Sequence, residues 1–137
     1  MVDTADLHVI YCAVCDDVRI EIANKDTIVG IYSSGMVVPM LPWHGIVCLW
    51  MTVIWSGEGD LDLEVQVVNP RDVKIGGTAG RAHAIWRGAE STLTFRNILL
   101  RIEMEGFHTI QWRVADGGWK SIRHFPIYMI SSQTSVP

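Results

Sequence analysis

The stretch Gly45-Ile-Val-Cys-Leu-Trp-Met-Thr-Val-Ile-Trp55 decides the fold class. It is apolar at both odd and even positions and rich in β-branched residues, which favours a strand buried on both faces. The uninterrupted piece, Ile46 to Trp55, is about half of the roughly 20 residues that a membrane-crossing helix needs. After Ser56-Gly57-Glu58-Gly59-Asp60 comes Leu61 to Val68. Here Leu61, Leu63, Val65 and Val67 alternate with Asp62, Glu64, Gln66 and Val68. The two runs read as a β-hairpin, with the second strand wet on one face.

Working outward toward the N-terminus, Leu7 to Val14 reads as a first strand. Asp16-Asp17 interrupts it, and Val18 to Ile22 follows as a short second strand. Asn24-Lys25-Asp26 is a turn cluster. Thr27 to Tyr32 returns as a third strand, with Gly30 at a bulge or a close backbone approach. Ser33-Ser34-Gly35 turns again, and Met36 to Val38 forms a short edge segment before Pro39 and Pro42.

Toward the C-terminus, Asn69-Pro70-Arg71-Asp72 signals a turn and Gly76-Gly77-Thr78-Ala79-Gly80 a flexible loop. Arg81 to Arg87 is a strand with Ala82, Ala84 and Trp86 on one side. Ser91 to Arg96 and Ile98 to Met104 supply one or two more strands. Phe107 to Val114 alternates well, and Asp116-Gly117-Gly118 is a hairpin signal. Trp119 to Ile130 is the return strand, marked as an edge by Pro126. The tail, Ser131 to Pro137, is polar and is expected to be loose. Short strands punctuated by turns imply a single domain, residues 1–137, built as an immunoglobulin-like antiparallel β-sandwich of about seven to nine strands. A closed barrel is the alternative.

Of the 137 residues, 49% are hydrophobic and 19% charged, as expected for a globular chain rather than a disordered one. The formal net charge of −4, with no basic run, argues against nucleic acid or an anionic membrane as partner. No Lys, Arg, Asp or Glu occurs from Thr27 to Gly57, but the Ser-Ser-Gly turn, the two prolines and His44 break that span. The odd cysteine count (Cys12, Cys15, Cys48) and the acidic start Met1-Val-Asp-Thr-Ala-Asp6 lead to the expectation of a reducing, cytoplasmic location.

Two short patterns carry a resemblance. Glu105-Gly106-Phe107, Asp116-Gly117-Gly118 and Phe125-Pro126-Ile127 resemble the last hairpin of immunoglobulin-like and fibronectin-like sandwiches. Cys15-Asp16-Asp17-Val18-Arg19 with Gly30-Ile31-Tyr32 is similar to a family of small uncharacterised bacterial proteins sharing Cys-Asp-Asp-x-Arg and Gly-x-Tyr. The resemblance implies a β-sandwich in a bacterial or phage setting, and supplies no activity.

Chemistry-bearing candidates are few. Cys12-Ala-Val-Cys15 has the spacing of a redox or metal pair, but positions three apart on a strand face opposite sides, and no second pair completes a zinc set. No metal or cofactor is therefore expected. Asp16, Asp17, Arg19 and Glu21 form the densest polar cluster, read first as an ion-pair group fixing a strand junction. There is no Gly-x-Ser-x-Gly elbow, phosphate loop or His-Glu-x-x-His. The bias is toward tryptophan: Trp43, Trp50, Trp55, Trp86, Trp112 and Trp119. Trp43 and His44 in a Pro-flanked loop, and Trp119 after a turn, are candidates for ligand or partner contact. Because a sandwich buries only one face of each strand, the second apolar face of Gly45 to Trp55 needs a cover. That cover is either a loop or a second copy of the chain, with Trp50 or Trp55 near the interface. The expected role is a non-enzymatic interaction or assembly module that self-associates. The alternative is a carbohydrate-binding module using loop tryptophans, and an enzyme using Asp16 or Asp17 comes third.

Overall fold

A computed structural model of the chain describes residues 7–23, 25–55, 59–84, 90–114 and 116–133. The strands are β1 (Leu7–Glu21), β2 (Lys25–Ile31), β3 (Met36–Val38), β4 (Trp43–Trp55), β5 (Gly59–Val68), β6 (Lys74–Ala84), β7 (Glu90–Ile102), β8 (Gly106–Val114) and β9 (Lys120–Met129), followed by a single helical turn, α1 (Ile130–Gln133). They form a four-stranded sheet, β2-β1-β4-β7, and a five-stranded sheet, β3-β9-β8-β5-β6. Within this order, β1-β4-β7 follows the A-B-E arrangement of an immunoglobulin sandwich, and β9-β8-β5-β6 follows its G-F-C-C′ arrangement. The two strands between β1 and β4 extend the outer edges, β2 beside β1 and β3 beside β9. All pairings are antiparallel except β3 with β9, which is parallel.

The inner faces meet in one apolar cluster. Val47, Leu49, Met51, Val53 and Trp55 of β4 pack with Leu61, Leu63 and Val65 of β5, Ile110 and Trp112 of β8, and Phe125 and Ile127 of β9. Period-two alternation sets which side chains enter this core. It does not set which strands pair. β4 and β5 are therefore strands but not a hairpin: they belong to different sheets, β4 between β1 and β7, β5 between β6 and β8. A link of several residues containing glycine serves equally to cross the ~10 Å between packed sheets. Residues 56–58 of that link lie outside the described residues.

Several local expectations change for the same reason. Gly76 to Gly80 is not a flexible loop but the middle of β6. There the two sheets come edge to edge: a Cβ on Gly76 would collide with the Leu99 carbonyl, and one on Gly80 would lie 2.7 Å from the Phe95 ring. The glycines are a packing requirement of that edge. Asp16-Asp17 does not end a strand, because β1 runs through it. Ser91–Arg96 and Ile98–Met104 merge into β7, with Asn97 at φ 58° where the register shifts opposite Val47 and Leu49. Pro126 is compatible with a strand that β3 joins only over Ile127–Met129. At the tail, residues 131–133 complete a helical turn, and 134–137 lie outside the described residues. So does Trp86.

Over Cys48 and Trp50, the second face of β4 is covered by its own chain. β1 pairs with β4 as far as Cys15 opposite Cys48, then continues with β2 alone. Beyond that point the β1–β2 hairpin crosses the outer face of the sheet. Val18 is buried against Cys15 and Cys48, with Ile28 and Trp50 packed beside them. The Trp50 indole donates to Asp26 Oδ2 at 3.0 Å, and Arg96 of β7 donates to the Val18 carbonyl at 2.7 Å and to Asp17 at 3.2 Å. No helix among the described residues is long and apolar enough to cross a membrane.

Candidate functional site

The outer face of the five-stranded sheet carries a row of fixed polar groups among the described residues. On β8, His108, Ile110 and Trp112 point inward, so Phe107, Thr109, Gln111 and Arg113 point out. On β5 the same alternation turns Glu64 and Gln66 outward. The registers place Gln66 opposite Gln111 and Glu64 opposite Arg113. Both pairs are closed: Gln66 Nε2 donates to Gln111 Oε1 at 2.7 Å, and Arg113 Nη2 donates to Glu64 Oε2 at 3.0 Å. Arg113 also lies over the Trp119 ring, 4.4 Å from its centroid. On the neighbouring β6, Gly77 and Ala79 stand opposite Gln66 and Glu64. Neither has bulk, but the Lys74 side chain approaches Gly77 and Gln66 is buried, so the exposed part of the ladder is Glu64, Gln111 and Arg113.

The same face continues into a groove of about 520 Å³ lined by Val68, Asn69, Pro70, Phe107, Thr109 and His124. Phe107 is largely exposed and meets His124 edge-on at 6.3 Å, while the Thr109 hydroxyl and His124 Nδ1 are 3.3 Å apart. The groove wall is rigid because Asn69 Oδ1 accepts from the backbone N–H groups of Arg71 and Val73. From Phe107 to Arg113 is roughly 20 Å at ~3.4 Å per residue. An aromatic ring stands at each end of this strip, with amide, hydroxyl, imidazole and ion-paired groups between. Two arginines of the face are matched by carboxylates, Arg113 by Glu64 and Arg81 by Asp62 at 2.7 Å. Arg81 also holds the Asp62 carboxyl below its usual range.

Of the residues singled out from sequence, only Trp119 belongs to this face. Trp43 opens β4 rather than sitting in a loop; its ring folds over Gly45 and packs on the core. His44, exposed on the other side of β4, stands opposite Arg101. Trp43 and His44 lie where β7 leads into β8, whereas Trp119 lies at the end where β4 leads into β5. The three residues therefore do not form one site. Trp55 is buried in the inter-sheet core, which removes it as an interface residue; its position in the period-two pattern of β4 takes it inward. Trp50 is half-buried under the hairpin. Sequence reading missed Gln66, Gln111, Arg113, Phe107 and His124. Their outward alternation was visible, but not which strands would bring them together.

The polar cluster gathers around Asp16 and Asp17 in the middle of β1 rather than at a strand junction. Asp16 accepts a hydrogen bond from the Tyr32 hydroxyl, and Gly30, at φ 68°, lies so close to the Asp16 carboxylate that a side chain there would collide with it. That hydrogen bond, more than burial, pushes the Tyr32 phenol up to about 12. Asp17 pairs with Arg96 at 3.2 Å and, more loosely, with Arg19 at 3.9 Å. Glu21 ends β1, opposite Lys25. Arg96, far away in sequence, gave no sign of joining the group.

Cys12 enters the core between the sheets and Cys15 the outer cluster, so the pair faces opposite sides. Burial pushes the Cys12 thiol up to about 12. Among the described residues no three His, Cys, Asp or Glu side chains gather as a metal site. The inward His108 is fully buried, its Nδ1 donating to the Gly106 carbonyl at 3.0 Å while Nε2 has no partner.

No family model matches the chain, and no curated protein does either. Among solved structures, the chain is similar to the C-terminal domain of wzt, with a TM-score of 0.49 and 12% identity, over 89% of this chain and 73% of that one.

Proposed function

We propose that this protein is a non-enzymatic binding module whose outer five-stranded face takes an uncharged oligosaccharide. The observation that carries this reading is the strip between Phe107 and Trp119, with its cross-strand Gln66–Gln111 and Glu64–Arg113 pairs. Sugar hydroxyls both donate and accept hydrogen bonds. Gln111 presents its Nε2 donor beside the bond to buried Gln66, and the Glu64 carboxylate beside the Arg113 guanidinium supplies donor and acceptor as a unit. The C–H faces of sugar rings lie flat on aromatic rings, and the strip has one at each end. The matched arginines favour a neutral ligand over an anionic one. The test is calorimetric titration with neutral gluco-, galacto-, manno- and N-acetylglucosamine oligomers, repeated on Trp119→Ala and Gln111→Ala. Binding lost in both variants supports the reading; binding by neither wild type nor variant to any oligomer removes it.

A second reading, self-association, is favoured by one specific feature. Ile46 and Leu99 are cross-strand neighbours on the outer face of the four-stranded sheet, 63% and 43% exposed, beyond the reach of the covering hairpin. Light scattering on the full chain and on Ile46→Asp tests it: a dimer that the substitution dissolves supports it, and a wild-type monomer at high micromolar concentration removes it.

A further inference from the structure

We propose that Cys15 and Cys48 form a reversible cross-strand disulfide, a covalent modification site that clamps β1 to β4. The β1–β4 register places the two residues directly opposite one another. Directly opposed residues in an antiparallel pair have Cα atoms about 4.5 or 5.5 Å apart, and both values fall within the roughly 4.4–6.8 Å spanned by disulfides. Both side chains point to the same face, into one small cluster with Val18, and the Cys15 thiol already donates to the Cys48 carbonyl at 3.7 Å. Both are free thiols. Cys12 is excluded as a partner because it faces the core between the sheets.

The reaction needs an oxidant, a small-molecule disulfide. The Cys15 thiolate attacks one of its sulfurs, forming a mixed disulfide and releasing one small thiol. The Cys48 thiolate then attacks Cys15 Sγ, closing the protein bond and releasing the second small thiol. The protein loses two hydrogens and two electrons, and the oxidant gains them. Cover controls the rate. Burial, followed by the neighbouring Cys48, Asp16 and Asp17, pushes the Cys15 thiol up to about 11, and Val18 shares the same buried cluster. The bond therefore closes during folding, or when the hairpin lifts, and is then shielded from reductant.

The experiment refolds the full chain in oxidised and reduced glutathione, counts free thiols under denaturing conditions and maps the linked peptides. The expected result is one free thiol, Cys12, a linked peptide joining Cys15 to Cys48, and a melting temperature higher by on the order of 5–10 °C than the reduced chain. Cys12→Ser keeps the bond and Cys48→Ser abolishes it. Three free thiols after refolding, a linkage through Cys12, or a bond only between chains would overturn the proposal.

Discussion

Gln66 and Gln111 face each other across β5 and β8 and share a hydrogen bond of 2.7 Å, although they are 45 residues apart in sequence. Gln66 is buried, so its amide depends on that partner. Gln111→Ala leaves the Gln66 amide short of an acceptor and is expected to lower stability by about 1 kcal/mol, read from urea midpoints. Gln111→Glu keeps an acceptor at the same place and should restore most of it.

The close approach of β6 to β7 gives a sharper stability test. Gly80 abuts the Phe95 ring, and Gly118 has open space around it. Gly80→Val should cost about 1–3 kcal/mol by forcing the sheet edges apart. Gly118→Ala should stay within about 0.5 kcal/mol. Equal effects at both positions, in chemical denaturation, would contradict the packing role assigned to β6.

Stability should fall in mild acid, and His108 sets the direction. Burial holds its pKa below the ordinary 6.5, against a smaller opposing effect of the Gly106 carbonyl. The unfolded chain thus binds a proton more readily than the folded one. The stabilisation from the neutral imidazole is complete above the unfolded pKa and is lost as pH falls through the folded value. Urea midpoints measured from about pH 7.5 down to about 5 should decline, and His108→Leu should flatten that decline. An undiminished decline in the variant would assign the effect elsewhere.

The cover over β4 predicts thiol accessibility. Val18 packs on Cys15 and Cys48, and Cys12 is held in the separate inter-sheet core. Val18→Ala removes about 1–2 kcal/mol of packing from the hairpin. Native-state alkylation of Cys15 and Cys48 in reduced protein should therefore accelerate about tenfold, at ~1.4 kcal/mol per decade, with Cys12 unchanged. Labelling followed by peptide mass analysis reads this directly. A parallel rise at Cys12 would mean global rather than local opening.

The extent to which the fold was legible follows from what period-two patterning encodes. The inward sets Leu61/Leu63/Val65/Val67 and His108/Ile110/Trp112 were readable, as were the turns at Asn69-Pro70 and Asp116-Gly117. Strand partnership was not, because pairing depends on non-local contacts that leave no trace in either strand alone. Hence β4 and β5 read as a hairpin in sequence, and the glycine-rich β6 reads as a loop. The site suffered more. Residue type and loop position single out Trp43, His44 and Trp119, of which only Trp119 joins the polar strip assembled from β5, β8 and β9. Gly30 was legible for a physical reason: its close approach to Asp16 permits only a glycine. The cover demanded by Cys48 and Trp50 was legible too, although the hairpin that supplies it was not.

Oligosaccharide binding on the five-stranded face is tested most directly by mapping amide chemical-shift changes on the isotope-labelled full chain during titration with the tightest-binding neutral oligosaccharide of the panel. Perturbations are expected along the strip, at Gln66, Phe107, Thr109, Gln111, Arg113 and Trp119, with the outer face of the four-stranded sheet silent. Perturbations centred on Trp43 and His44, or none with any neutral oligomer, would contradict it.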